Sequence, residues 1–218
     1  MNRFAVIPTH NRPEELRDVI WDISPQVDLV YVIDNGSSPP VQKDPFPNSS
    51  GWIILRDSEQ PPNLSRLWNV GMDQVAMLAG GDHKVAILND DVRVPEGWFA
   101  AVSEAMDRTG AAAGCSSPWP GLTQELFKTA PDTDLMNRMY GPAFMLRGEA
   151  HLRVDERLRW WWGDTDLDWK ARNAGGLVVV PGLVVTNLHE NQSTRGVLAE
   201  QAGRDRETFR EIWGTLPW

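Results

Sequence analysis

Short apolar runs alternate along this chain with longer stretches whose apolar residues recur every three or four positions. Phe4–Ile7, Asp28–Ile33, Trp52–Leu55, Lys84–Leu88 and Ala111–Cys115 are of the first kind, and their lengths and flanking turn residues predict buried strands. Pro13–Ile23 is of the second kind: Leu16, Val19, Ile20 and Ile23 share one face behind an N-terminal proline, and Pro25 closes the helix. Asn63–Ala79 carries Leu64, Leu67, Trp68, Gly71, Val75 and Leu78 on a helical period and stops at Gly80-Gly81, and Pro95–Arg108 reads as a third helix. Strands follow at Tyr140–Leu146 and Leu177–Val180, with a helix between them from Asp164 to Ala174 and a charged, amphipathic helix over Gly196–Trp213. Residues 38–50 read as a loop, as do 116–137, where no period emerges and Leu126–Met139 is a candidate lid. The alternation predicts an α/β fold with a mainly parallel central sheet flanked by helices.

Composition narrows this picture. At 218 residues the chain has the size of one domain with a modest extension, divided here into a body over 1–195 and a C-terminal helix over 196–218 that packs on it or extends it. Hydrophobic content of 41% against 23% charged excludes a wholly disordered chain. A formal charge of −9 argues against a general nucleic-acid binder, which needs basic side chains to neutralise phosphates, while leaving room for a local basic pocket. The single cysteine, Cys115, excludes an internal disulfide and a thiolate metal site, and suits a reducing compartment. The apolar run near the start is too short for a signal peptide, and no stretch approaches the roughly 18 apolar residues of a membrane span, so the expectation is a soluble cytoplasmic protein.

Candidate chemistry sits at three strand ends: Pro8-Thr9-His10-Asn11, Asp34-Asn35-Gly36-Ser37 and Asn89-Asp90-Asp91. Open α/β sheets bind ligands beyond the carboxyl ends of their strands. The sequence has neither a G-x-G-x-x-G after its first strand nor a G-x-x-x-x-G-K-[ST], so a dinucleotide fold or P-loop has no support. Adjacent carboxylates at a strand end repel each other, and a hard divalent cation, Mg²⁺ or Mn²⁺, would relieve the cost while holding substrate phosphates; a solvated turn is the plainer reading of Asp90-Asp91 alone. In WWWGDTDLDWKARNAG, Asp164 and Asp168 share a helix face; they read either as helix-start acids favoured by the dipole or, beside a substrate, as a general base.

Taken in order, these segments resemble the family 2 glycosyltransferases of the GT-A fold. AVIPTHNRPEEL resembles that family's first strand and P-x-[YH]-N-R loop, YVIDNGS its second strand end, NLSRLWNVGMDQV its N-x-x-x-x-x-N-x-G helix start, and VAILNDDVRVPEGWF its D-x-D region. GPAFMLRGEA resembles its acceptor-side strand, WWWGDTDLDWKARNAGG its E-D-x-D-L-x-x-R segment, and LHENQST the segment of its late metal-ligand histidine. The resemblance covers roughly residues 3–195. It implies a metal-dependent transferase that moves a sugar from a nucleoside diphosphate, such as UDP, to an acceptor hydroxyl with inversion. It places Asp164 as catalytic base, and Asp91 and His189 as ligands of Mn²⁺ or Mg²⁺. Pro8, Thr9, His10, Asn11, Asp34, Asn63, Arg66, Asn69, Asn89 and Asp90 fall on the donor side, and Gly141, Trp161, Trp162 and Asp166 on the acceptor side.

Four departures bear on that transfer: Asn89 for the first acid of the D-x-D, Gly163 for the Glu before Asp164, Lys170 for an Arg, and Asn35 for a frequent second Asp. The run Trp160–Trp162 reads either as core or as an indole platform for sugar. The acceptor is left open among proteins, glycans, lipids and small molecules, with a modified nucleic-acid base the least comfortable choice. The rival readings are a non-catalytic nucleotide- or sugar-binding module of the same fold, for which Asn89 and Gly163 speak, and a nucleotidyltransferase, which would need a glycine-rich basic loop where PTHNRP stands.

Overall fold

The computed structural model describes residues 2–43, 51–119, 121–133, 137–189 and 196–217. In chain order the strands are β1 (Asn2–Thr9), β2 (Leu29–Asp34), β3 (Gly51–Arg56), β4 (His83–Leu88), β5 (Val92–Arg93), β6 (Ala113–Ser116), β7 (Leu126–Lys128), β8 (Ala143–Arg147), β9 (Leu177–Val180) and β10 (Thr186–Asn187). The helices are α1 (Pro13–Ile23), α2 (Leu64–Ala79), α3 (Trp98–Thr109), α4 (Gly163–Asn173) and α5 (Val197–Trp213). Eight strands form one sheet in the order β3-β2-β1-β4-β8-β6-β9-β7, and β10 pairs with β5 beside it. β3, β2, β1 and β4 run parallel, as β6 and β9 do, while β8 and β7 run antiparallel to their neighbours. The α/β class and the mainly parallel sheet are those read from the sequence.

Alternation along the parallel strands loads both faces of the sheet. Ala5, Ile7, Val30, Val32, Ala86 and Leu88 meet the apolar faces of α1 and α3, whereas Phe4, Val6, Tyr31, Ile33, Val85 and Ile87 meet those of α2 and α4. α2 lies so close to β1 that a Cβ at Gly71 would stand 2.9 Å from Val6 Cγ2, which is why a helix interior tolerates glycine there. Lys84, inside an apolar strand, is fully buried; its ammonium reaches Ser103 O (2.8 Å), Ser103 Oγ (2.6 Å) and Asp107 (2.6 Å) on α3. Burial pushes its pKa down, and Asp107 opposes the shift.

The elements differ from the sequence reading where they are short. β7 lies within the stretch expected to be a loop, and β5 and β10, of two residues each, carry no readable period. The lid expected over Leu126–Met139 lies partly in the undescribed residues 134–136. Its described ends are joined to the body: β7 pairs with β9, Asp132 pairs with Arg172 (2.9 Å), and Met139 N donates to Asp168 (3.0 Å). The boundary at residue 195 also falls outside the described residues. α5 packs Phe209 and Trp213 against Trp162 and Trp169 of the body, with ring centroids 5.2 Å apart in three pairs. Among the described residues, no helix is long and apolar enough to cross a membrane.

Candidate active site

Because β1, β2 and β4 are parallel and adjacent, Thr9, Asp34 and the segment after Leu88 emerge at one edge of the sheet, with Thr9 directly opposite Asp34. Thr9 Oγ1 donates to Asp90 (2.8 Å). Arg12, just before α1, places a single nitrogen, Nη1, 3.0 Å from Asp90 and 2.7 Å from Asp91. Burial pushes the Asp90 carboxyl above its ordinary range, Thr9 and Arg12 pull it back, and the Asp91 charge adds to the rise. Asn89 N donates to Pro142 O (2.9 Å), so the segment Tyr140–Pro142 runs alongside the acids. Burial raises the Tyr140 phenol, and the Asp91 carboxylate adds to the rise.

That segment carries the edge on to α4. A Cβ at Gly141 would overlap the Asp164 carboxylate, standing 3.0 Å from Cγ. Asp164 therefore lies against the Gly141 backbone in space that only glycine leaves open. Gly141→Ala is expected to turn this carboxylate aside and to cut any reaction that uses it about 100-fold through misplacement alone, with thermal stability unchanged. Steady-state kinetics beside a melting curve checks this, and full activity in the variant would contradict it.

The other residues expected on the donor side are engaged within the fold. Asp34, 1% exposed, accepts from Ser37 N (2.9 Å), Val41 N (3.0 Å) and Arg56. Burial pushes its pKa up, but these bonds prevail and hold it below the ordinary range. His10 Nδ1 donates to Asn35 O (2.8 Å), and the Asn11 amide donates to His10 Nε2 (3.0 Å). Asn11, at φ 55°, also accepts from Ser38 N (2.7 Å), which zips the first strand-end loop to the second. Pro8, buried, sits opposite Ile33. Arg66 pairs with Asp57 and Glu59, chiefly Asp57, which raises its pKa. Asn63 caps α2 by accepting from Arg66 N (3.1 Å) and donates to Glu156 O (3.0 Å). Asn69 brackets Val154, donating to its O and accepting from its N, both at 3.0 Å. Asn63 and Asn69 thus bind α2 to the 154–156 turn.

The residues expected on the acceptor side divide similarly. Asp166 is fully buried; Asp155 N (2.9 Å), Lys170 Nζ (2.6 Å) and Trp213 Nε1 (3.0 Å) all donate to it. Trp162, 6% exposed and at φ 71°, packs on Phe209, while Trp160 and Trp161 are half-buried. A bulky residue in the left-handed region needs its surroundings to hold it there. Asp205 of α5 does so, accepting from the backbone N–H groups of Arg159 (3.2 Å), Trp160 (2.8 Å) and Trp161 (2.8 Å). Gly163 follows because a Cβ there would lie 2.7 Å from Ser65 Oγ and 3.2 Å from Trp68, which leaves no room for a glutamate. The Cys115 thiol is fully buried and pushed up to about 12 by that burial; it accepts from Tyr140 N (3.4 Å).

His189 comes near Asp91 through the backbone, since Leu188 N donates to Asp91 O (2.8 Å). Its side chain turns to α1, where Nε2 donates to Glu15 (3.1 Å). With both Asp90 oxygens and one Asp91 oxygen bonded, and His189 tied to Glu15, the donor set in this arrangement does not fit a divalent cation. Among the described residues, no group of three His, Cys, Asp or Glu is placed to hold one. Sequence reasoning overlooked Arg12, although it stands inside the quoted HNRP motif, and Tyr140, Glu15 and Asp205, which become visible only through tertiary contact.

The sequence pattern of glycosyl transferase family 2 matches residues 4–155, well over half of the chain. The chain belongs to glycosyl transferase family 2. Asp164 and His189 lie beyond the matched residues. A comparison with curated proteins finds no match. Among solved structures, S. aureus TarS 1–349 in complex with UDP-GlcNAc superposes with a TM-score of 0.66 at 13% identity, over 98% of this chain and 72% of that one. Another structure of S. aureus TarS 1–349 gives 0.62 at 13%, over 85% and 59%. GalNAc-T7 with UDP, GalNAc and Mn²⁺ gives 0.63 at 14%, over 95% and 48%. These likenesses show a shared fold, and this family 2 chain spans 59% of the one TarS 1–349 structure and 36% of another, S. aureus TarS.

Proposed function

We propose that this family 2 chain transfers a sugar from a nucleoside-diphosphate sugar to an acceptor hydroxyl, with inversion at the anomeric carbon. One observation carries the reading: a single sheet edge runs from Thr9 and Asp34 through Asp90, Arg12 and Asp91 to Tyr140, Gly141 and Asp164. A guanidinium held between two carboxylates stands at its middle, with its outer nitrogens facing outward, and a half-buried carboxylate stands at its far end. The names of the similar structures, bound to UDP-GlcNAc and to UDP with GalNAc and Mn²⁺, support a nucleotide-sugar donor.

In this reading the diphosphate lies over the ends of β1 and β4, with the sugar toward Gly141. Asp164 takes the acceptor proton as the acceptor oxygen bonds to the anomeric carbon. The bond from that carbon to the β-phosphate oxygen breaks, and its electron pair leaves with the nucleoside diphosphate. Attack opposite the leaving group inverts the centre, and a base next to the acceptor oxygen lowers the barrier by removing charge as it develops. The cation reading, Mn²⁺ or Mg²⁺ on Asp91 and His189, requires both side chains to leave their present partners, so no step is derived through it. The half-buried Trp160 and Trp161 stand four and three residues before the base and suit an acceptor that stacks on indole. A melting screen of nucleoside diphosphates tests the donor class; saturable stabilisation by one of them is the expected result.

A further inference from the structure

We infer that Arg12 is the built-in counter-ion of the Asp90–Asp91 pair, occupying the position a divalent cation would have to take, so that cation binding and the Arg12 ion pairs exclude one another. The inference deepens the reading above and rests on it only for the choice of cation.

Two adjacent carboxylates beside low-dielectric core need a positive charge between them. Arg12 supplies it with one nitrogen shared between the two acids, at 3.0 and 2.7 Å. Both acids are largely withdrawn from solvent, with side chains 10% and 15% exposed, so these charge-assisted bonds are screened less than surface pairs are. Thr9 fills the remaining Asp90 oxygen. His189, on the segment that follows β10, is meanwhile held by Glu15 one helical turn beyond Arg12. α1 and the residue before it thus engage both parts of the expected cation site from one side. A cation can enter only if Nη1 leaves, and the free energy of those bonds is then subtracted from cation affinity, as linkage requires. The Nε and Nη2 groups of Arg12 have no partner among the described residues, and its side chain is 36% exposed, so a displaced guanidinium can turn toward solvent or a bound phosphate without leaving a buried donor unmet.

The test is calorimetric titration of the full chain with MnCl₂ alone, without nucleotide, so its outcome does not depend on the donor or on turnover. Arg12→Met is expected to bind Mn²⁺ about tenfold more tightly than the natural chain. Asp91→Asn added to it is expected to abolish that gain. Arg12→Lys, which keeps a charge on a shorter, more mobile side chain, is expected to fall between the natural chain and Arg12→Met, and it serves alone if the methionine variant does not fold. Mn²⁺ affinity that is unchanged or weaker without the guanidinium, or a gain that survives loss of the Asp91 carboxylate, would overturn the proposal.

Discussion

Asp164→Asn is expected to lower the rate of sugar transfer by about 100- to 10,000-fold, while nucleoside-diphosphate binding and melting temperature stay unchanged. The amide matches the carboxylate in shape, and the described contacts of Asp164, to Thr165 N (2.9 Å) and more weakly to Thr165 Oγ1, survive the exchange. Only the ability to accept a proton is lost. Half-buried, with its outer oxygen lying against Gly141, Asp164 differs from its neighbours on α4. Asp166 and Asp168 are buried and fully engaged, so their replacement is expected to cost stability before rate. Single-turnover kinetics separates the chemical step from binding. A variant that transfers at the full rate would remove Asp164 from the mechanism.

Arg172→Met carries the largest expected loss of stability, about 3–5 kcal/mol. Arg172 and Asp168 form a bidentate pair, each side chain 1% exposed, and Asp168 also accepts from Met139 N (3.0 Å). Arg172 extends to Asp132 (2.9 Å) and Ala130 O (3.3 Å), so one guanidinium fastens α4 to the stretch before Tyr140. Burial pushes the Asp168 carboxyl up and the guanidinium opposes it, so removal of the partner leaves a buried acid that must be protonated or hydrated. Combining Asp168→Leu with Arg172→Met is expected to restore most of the loss, because an apolar pair carries no desolvation penalty. Urea unfolding of the single and double variants measures both. A loss below about 1 kcal/mol in the single variant would place this pair in the class of surface ion pairs, against its burial.

The layers of this fold were readable because its long elements obey their periods. β1, β2 and β4 are apolar runs, and α1 and α2 carry their buried residues at helical spacing between proline and glycine stops. β5, β7 and β10 were not readable, since two or three residues hold no period and pair only because tertiary structure brings them together. The same divide runs through the site. That Thr9, Asp34 and Asp90 share an edge follows from parallel strands, which alternation predicts. That Asp34 turns into its own loop, that Asn63 and Asn69 hold a turn some 90 residues on, and that Arg12 bridges two acids nearly 80 residues away are facts of side-chain partnership between distant segments. The Trp160–Trp162 run shows the limit well: composition marked it, but only the Asp205 contacts and the Phe209 packing show why Trp162 is core.

The central claim, a nucleoside-diphosphate site along this edge, is tested most directly by melting the natural chain with UDP, GDP, CDP and dTDP, each with and without MnCl₂. A ligand that binds only the folded state at about 100 times its Kd adds roughly 2.7 kcal/mol of stability, a shift of several degrees at this size. At least one of the four is expected to raise the midpoint saturably, with the corresponding nucleotide sugar competing for the same site. Unchanged midpoints with all four at millimolar concentration, with and without Mn²⁺, would contradict it.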